Sequence, residues 1–432
     1  MKKIFALGLV CFLASPVFAQ TEYGLKFSNL INDNLTLENA IRLGLENNSE
    51  FLVAKQEIII AEQRVNEAKF RYLPQISLQG TATAYDLDYP MVLPDSVANR
   101  FLPSNSLLDD RDQFYGVGVT ATQYIYSGGR INGTLKLARA NLKQVQSHYE
   151  SVKNNVVLSI KKTFTNLLHA QHELQLAKEI NETAKKWYTQ NTNNVWDKIK
   201  RQALMASFQS RQNEAENLLK KAELAMLVSL NKELNSHITV TGNFEPIQTD
   251  WDLPRLNLWA TEFRPEMKSA MYALEVNSIA IDLALSKQYP DLILTGSYEK
   301  LGAESLNDVN KQVSLALRLP IPYNISTQIT QKKAERKQSE LRRAAMEDKI
   351  KVQVAESFED MRFWQTEVLN RQKAFHSLEA LFKQAKNVSK TGTAPLEALK
   401  VYQETAKDYL EAVRQTHLAK ASLEWAIGQD LQ

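Results

Sequence analysis

"RYLPQISLQGTATAY", residues 71–85, follows some 35 residues of helical pattern and then alternates polar and apolar as a strand does. Gln75, Ser77, Gln79, Thr81 and Thr83 fall on one face; Ile76, Leu78, Gly80, Ala82 and Ala84 fall on the other. Pro74 ends the helix by removing a backbone donor and starts the extended segment. The chain makes the same transition again. "LPQISLQG" is echoed by "YPDLILTG": Pro74 and Pro290 are 216 residues apart, and at that offset Gly80 meets Gly296 and Glu50 meets Glu266.

Each alternating stretch has a partner. In 115–126, Tyr115, Val117, Val119 and Ala121 oppose Gly116, Gly118, Thr120 and Thr122; in the second half Leu292, Leu294, Gly296 and Tyr298 precede Val313, Leu315, Leu317 and Leu319. Four strands of about ten residues with period two match transmembrane β-strands. An ordinary half-buried antiparallel sheet shows the same alternation, so the order of elements has to decide. Helices flank both hairpins, which puts all helices at one end and the loops 86–113 and 301–310 at the other. Four strands are too few to close a barrel and open edges are not tolerated in lipid, so a membrane-spanning form must oligomerise.

The helices are long. "LTLENAIRLGLENNSEFLVAKQEIIIAEQRVNEAKFRY" begins at an N-cap, Thr36, and keeps helical spacing through Leu37, Ile41, Leu45, Leu52, Ile59 and Val65, which predicts one helix up to the first strand. After "SGGR" at 127–130, Ile131, Leu135, Ala138, Leu142, Val145, Tyr149, Val152 and Val156 step by fours and threes as a heptad seam. The steps from Val156 to Ile160 to Phe164 are two fours in succession, a stutter that locally unwinds a coiled coil. Such a helix of some 60 residues is about 90 Å long and needs partners along its length. "SGGR" and its counterpart "PIPYNIS", with Pro320 and Pro322, mark the returns from strand to helix.

Each half thus reads helix, strand, strand, long helix, turn, helix, a duplication whose period of about 200 residues exceeds any solenoid repeat. The predicted organisation is a signal peptide over 1–19, a first repeat over 20–230 with its hairpin at 75–126, an equatorial linker at 231–263, and a second repeat over 264–432 with its hairpin at 291–321. The leader has Lys2 and Lys3, an apolar run from Ile4 to Leu13 and a small-x-small site ending at Ala19. Cys11 lies inside the apolar run rather than at the cleavage site, so it is not read as a lipid anchor, and the exported chain has no cysteine to form a disulfide.

Composition narrows the function classes. Without Lys2 and Lys3 the formal charge falls from +3 to +1 and the charged residues are spread evenly, which argues against nucleic acid. Only 14 glycines in 432 residues point to long helices, and no apolar run after the leader reaches the length of a membrane-spanning helix. Any membrane crossing must therefore be made by strands.

"LTLENAIRLGLENNSEF", "LPQISLQG", "YIYSGGRINGTLKLARANL" and "TGTAPLEALKVYQETAKDYLEA", in this order, resemble the recurring segments of the outer-membrane efflux protein family, the TolC-like exit ducts. The resemblance implies an α+β membrane protein with four transmembrane β-strands per chain, a homotrimer closing a 12-stranded β-barrel, and a long periplasmic coiled-coil helical tunnel. It also implies outer-membrane lipid around the barrel, a periplasmic adaptor (membrane fusion protein) and an inner-membrane transporter as partners.

The far turns, near 191–201 and 390–400, would be the periplasmic tips that form the aperture and meet the adaptor. Gly392 suits a left-handed helix cap, and Asn193 is the next best residue at the equivalent place. By the resemblance the second tip carries carboxylates that ring the aperture; here Glu397 keeps the charge and Lys400 departs from it. The first tip holds Lys198, Lys200 and Arg201, placed to pair with Glu397 of a neighbouring helix or simply to solvate the helix surface. The face Gln75, Ser77, Gln79, Thr81 and Thr83 would line the pore. In the linker, Trp251 and Trp259 are read as packing residues.

No catalytic, cofactor or metal site is read from the sequence. HExxH, GxSxG and phosphate-loop patterns are missing, and His169, His172 and Glu173 share a helical face with no third ligand in view. The expected function is a passive outer-membrane exit duct of a tripartite efflux or type I secretion system, not an enzyme. The rival is a periplasmic coiled-coil adaptor or scaffold that never enters a membrane.

Overall fold

The computed structural model describes residues 35–84, 113–188, 194–302, 308–385 and 393–431. The predicted signal peptide and the loop 86–112 lie outside these residues, as do residues 191–193 and 390–392 of the predicted turns, Asn193 and Gly392 among them. The elements in order are α1 (Leu37–Asn47), α2 (Ser49–Phe70), β1 (Gln75–Ala84), β2 (Gln113–Ser127), α3 (Arg130–Tyr188), α4 (Val195–Ser229), α5 (Leu253–Phe263), α6 (Pro265–Ser286), β3 (Asp291–Gly302), β4 (Asp308–Arg318), α7 (Ile325–Ala385) and α8 (Ala394–Ile427).

The two halves match element by element. Helices of 11 and 22 residues precede each hairpin. Helices of 59 and 35 residues follow the first hairpin, and helices of 61 and 34 residues follow the second.

Three boundaries differ from the sequence expectation. The first helix breaks at Asn48, whose extended backbone and side-chain oxygen, accepting from Phe51 N at 3.0 Å, cap a new helix. The equatorial linker is not wholly irregular. Residues 253–263 form α5, started by Pro254 near its N-terminus and stacked end to end on α6, which starts at Pro265. The second hairpin also stops short, since β4 ends at Arg318 and residues 319–321 are outside the strand.

The long helices pack side by side. Helix α3 lies against α4, α6, α2, α8 and α1, and α7 lies against α8, α6 and α5. The stutter in α3 falls where α1 docks. Val156, Ile160 and Phe164 are buried in one cluster with Ala40, Met226, Leu230 and Val240. Gly44 allows the approach, because a Cβ there would meet the end of the Ile160 side chain at 2.2 Å. A second cluster joins α5, α6, α7 and α8 through Leu256, Met267, Ile350, Met361 and Leu423, with Trp251 and Trp259 packed against it as expected. A third, with Trp187, Phe208, Leu396 and Leu399, lies near the far ends of the helices.

The strands form one antiparallel sheet in the order β1-β2-β3-β4, with Gln75 opposite Thr122, Val119 opposite Tyr298 and Gly296 opposite Val313. A bulge between Tyr124 and Tyr126 shifts the β2–β3 register at its helix end. Gly128 and Gly129, with φ of 58° and 82°, turn β2 into α3 as the sequence expects. None of the described helices is long and apolar enough to cross a membrane.

Candidate functional site

The register sorts the sheet into two unlike faces. Ile76, Leu78, Val117, Val119, Leu315, Val313 and Leu317 share one face, and their side chains project outward: Ile76 is 73% exposed, Leu78 81%, Val313 82% and Leu317 73%. A contiguous apolar surface of that kind does not persist in water. Lys300 and Lys311 stand at its loop end, with Lys311 Nζ 5.8 Å from the Tyr298 ring centre.

The opposite face is polar. Gln75, Ser77, Gln79 and Thr81 lie on it as expected, in register with Thr122, Thr120, Gly118 and Gly116, and Thr83 pairs with Phe114 in the same ladder. Thr295, Ser297 and Glu299 of β3 and Ser314, Gln312 and Asn310 of β4 complete it. Gln79 Nε2 donates to Glu299 Oε1 at 3.0 Å across β2. At the helix end the Asp291 carboxylate is paired with the Arg130 guanidinium of α3, joining strand to helix.

The four passages between helix and strand share a feature that sequence reading missed. Each carries an exposed tyrosine: Tyr72 before β1, Tyr126 at the end of β2, Tyr289 before β3 and Tyr323 after β4. Their constant position within a few residues of the punctuating prolines and glycines was the available signal. Backbone bonds from Leu73 N to Phe70 O and from Tyr289 N to Ser286 O close the last helical turn before each proline.

At the far ends of the helices, Lys198, Lys200, Glu397 and Lys400 are exposed. Arg201 is not. At 3% exposure it faces into the packed helices, so it is withdrawn from the charged surface that the sequence suggested. Helix α4 starts at Asn194, whose side chain accepts from Trp196 N at 3.0 Å, and presents Val195, Trp196 and Ile199 to solvent.

The histidines that share a face of α3 take structural partners. His172 stacks on Phe244 of the linker at 5.0 Å, and His417 of α8 also stacks on that ring at 5.8 Å. His417 Nε2 also lies 2.9 Å from the Glu245 carbonyl oxygen. His169 is buried with its Nε2 3.8 Å from Glu173 and 3.7 Å from Glu411, and no hydrogen-bond partner among the described residues. Burial pushes all three imidazoles below their ordinary range; for His169 this outweighs the opposing pull of the two carboxylates. No group of three or more His, Cys, Asp or Glu side chains is arranged to hold a metal among the described residues.

A bundle of long helices carrying a four-stranded sheet, apolar on one face, polar on the other and open at both edges, defines the protomer of a membrane-spanning duct. Residues 40–231 match the family model described as "Outer membrane efflux protein". Over these residues the chain resembles that family, and the match together with the fold supports an outer-membrane exit duct of an efflux system with its helical part in the periplasm. No curated protein matches the chain.

Solved structures share the fold at low identity. CusC is 16% identical with a TM-score of 0.74, over 91% of this chain and 92% of that one. The Campylobacter jejuni CmeC outer membrane channel is 15% identical with a TM-score of 0.73, over 91% and 85%. The open state of the Neisseria gonorrhoeae MtrE outer membrane channel is 15% identical with a TM-score of 0.74, over 92% and 89%.

Proposed function

We propose that three copies of the chain close their sheets into one twelve-stranded barrel, and that the helices continue it as a tunnel through the periplasm. The carrying observation is the sheet itself: an exposed apolar face backed by a polar one, with β1 and β4 left as unpaired edges among the described residues. Lipid demands closure, and pairing β4 of one copy with β1 of the next continues the antiparallel alternation around the ring. The band has a suitable height. From Asp291 to Lys300 is about 30 Å along a strand, and usual barrel tilts reduce that to the roughly 25 Å of an outer-membrane apolar band. Tyr72, Tyr126, Tyr289 and Tyr323 then form the aromatic girdle on the helix side.

In this reading Gln75, Ser77, Gln79 and Thr81 line a water-filled pore that selects little. An inner-membrane pump, reached through a periplasmic adaptor, chooses the cargo and supplies the energy. Lys198, Lys200, Glu397 and Lys400 border the inner aperture. The matching lengths of the two halves support a duplication in which each half contributes one hairpin to the barrel. A periplasmic scaffold would have no use for the exposed apolar face.

The test is the native protein extracted from outer membranes. A heat-sensitive trimer that conducts ions in a planar bilayer is expected; a soluble monomer without conductance would overturn the proposal.

A further inference from the structure

One row of the sheet carries a lone charge. Gln79 faces Gly118, Gly118 faces Glu299, and Glu299 faces Asn310, so a single level of the polar face runs through all four strands. Glu299 is its only ionisable member. Above the Asp291 and Arg318 pair at the helix end, the register places two charged residues of the described strands on this face, Glu299 and, one level nearer the loop, Asp308, since Lys300 and Lys311 point to the apolar side.

The carboxylate is held in place. A Cβ on Gly118 would come within 2.7 Å of Glu299 Cγ and 3.3 Å of the Tyr298 carbonyl oxygen, so the glycine leaves the space over which the side chain leans. From there Glu299 accepts the Gln79 amide at 3.0 Å. This neutral donor orients the negative charge without cancelling it.

We propose that Glu299 sets the ionic preference of the barrel: one carboxylate from each protomer forms a ring that favours cationic over anionic solutes. This rests on the trimeric duct. Such a ring acts over a Debye length, about 10 Å at 0.1 M salt and about 30 Å at 0.01 M, so its influence spans the lumen at low salt and weakens at high salt. Between the Asp291 and Arg318 pair at the helix end and Asp308 at the loop end, it adds a charge to a stretch of wall made of Gln, Ser, Thr and Asn.

The experiment measures the cation-over-anion permeability ratio of the full-length trimer in a planar bilayer under a KCl gradient at low salt. Glu299→Gln keeps the acceptor for Gln79 and should lower the ratio about threefold, the order expected for three unit charges near the axis in water. Gln79→Glu adds a second carboxylate to the same row and should raise the ratio, which keeps the test open if Glu299→Gln fails to assemble. A conducting trimer whose ratio is unmoved by both changes overturns the inference and leaves the duct intact. Wild-type protein that does not conduct overturns the duct reading, and the inference falls with it.

Discussion

The Lys161 ammonium donates to the Glu424 carboxylate at 2.7 Å and ties the middle of α3 to the last turn of α8. Burial acts to lower the lysine pKa, but hydrogen bonds to Asp430 and Glu424 outweigh it and leave the ammonium raised. The contribution is therefore complete at neutral pH and is lost only as pH climbs above the ordinary lysine range. Lys161→Met should cost about 3 kcal/mol, because it leaves a nearly buried carboxylate with only the more distant Lys420 ammonium, 3.7 Å away, as counter-charge. Thermal melting of the purified protein checks this; an unchanged midpoint would show the pair to be dispensable.

Acidification should loosen the packing of α3 and α8 around Phe244. His169, His172 and His417 have depressed values in the fold, so the unfolded chain takes up protons that the folded chain refuses as pH falls below about 6.5. Stability is then lost on acidification, by up to about 1.4 kcal/mol per pH unit for the buried His169. The groups facing it are Glu173 and Lys407 on one side and Glu411 and Arg414 on the other, and His417 faces Lys420. Melting followed from pH 7 to 5 should show a shallower decline in a His172→Gln, His417→Gln double variant than in wild type.

The passage from β2 to α3 should tolerate one glycine replacement better than the other. A Cβ on Gly128 would meet Tyr289 Cβ at 2.5 Å and the Ser286 carbonyl oxygen at 3.0 Å, whereas one on Gly129 meets nothing within 4 Å. Gly129→Ala should cost only the backbone penalty of about 1–2 kcal/mol. Gly128→Ala should cost more and reduce the yield of folded protein. Equal losses in the two variants would contradict the packing of Tyr289 against this turn.

The outward face predicts a depth-dependent cost. Val313 lies opposite Gly296, near the middle of the apolar band, and Val313→Arg should destabilise the membrane-inserted form by about 2–4 kcal/mol. Ser314→Arg, one residue on and facing the polar side, should leave insertion intact. Folding into lipid vesicles compares the two, and equal behaviour would deny that the faces differ in surroundings.

At the proposed aperture, Glu397→Ala combined with Lys400→Ala should raise single-channel conductance; both side chains are exposed at the start of α8. Unchanged conductance would remove them from the gate.

Periodicity made the strands and the long helices legible, since a two-residue repeat and a 3.6-residue repeat are local properties of the chain. The break at Asn48 went unread although Asn-Asn-Ser offered caps, because apolar spacing continues across it. Helix α5 went unread because its amphipathic pattern is only 11 residues long and sits in a polar, proline-bearing stretch. Arg201 looked like part of an exposed basic tip, and only packing shows it turned inward.

The sequence alone determined that polar and apolar residues segregate onto opposite sides of each strand, because side-chain alternation in an extended chain needs no partner. It likewise determined where helix yields to strand, because proline and glycine act through their own backbone geometry. Tertiary structure alone decided which residues share a level. Gln79 and Glu299 are 220 positions apart in sequence, yet they meet over Gly118 because two registers, β1 with β2 and β2 with β3, align them. The stack of His172 and His417 on Phe244 likewise required three distant segments to converge. Register and convergence are set by long-range pairing, which no local pattern encodes.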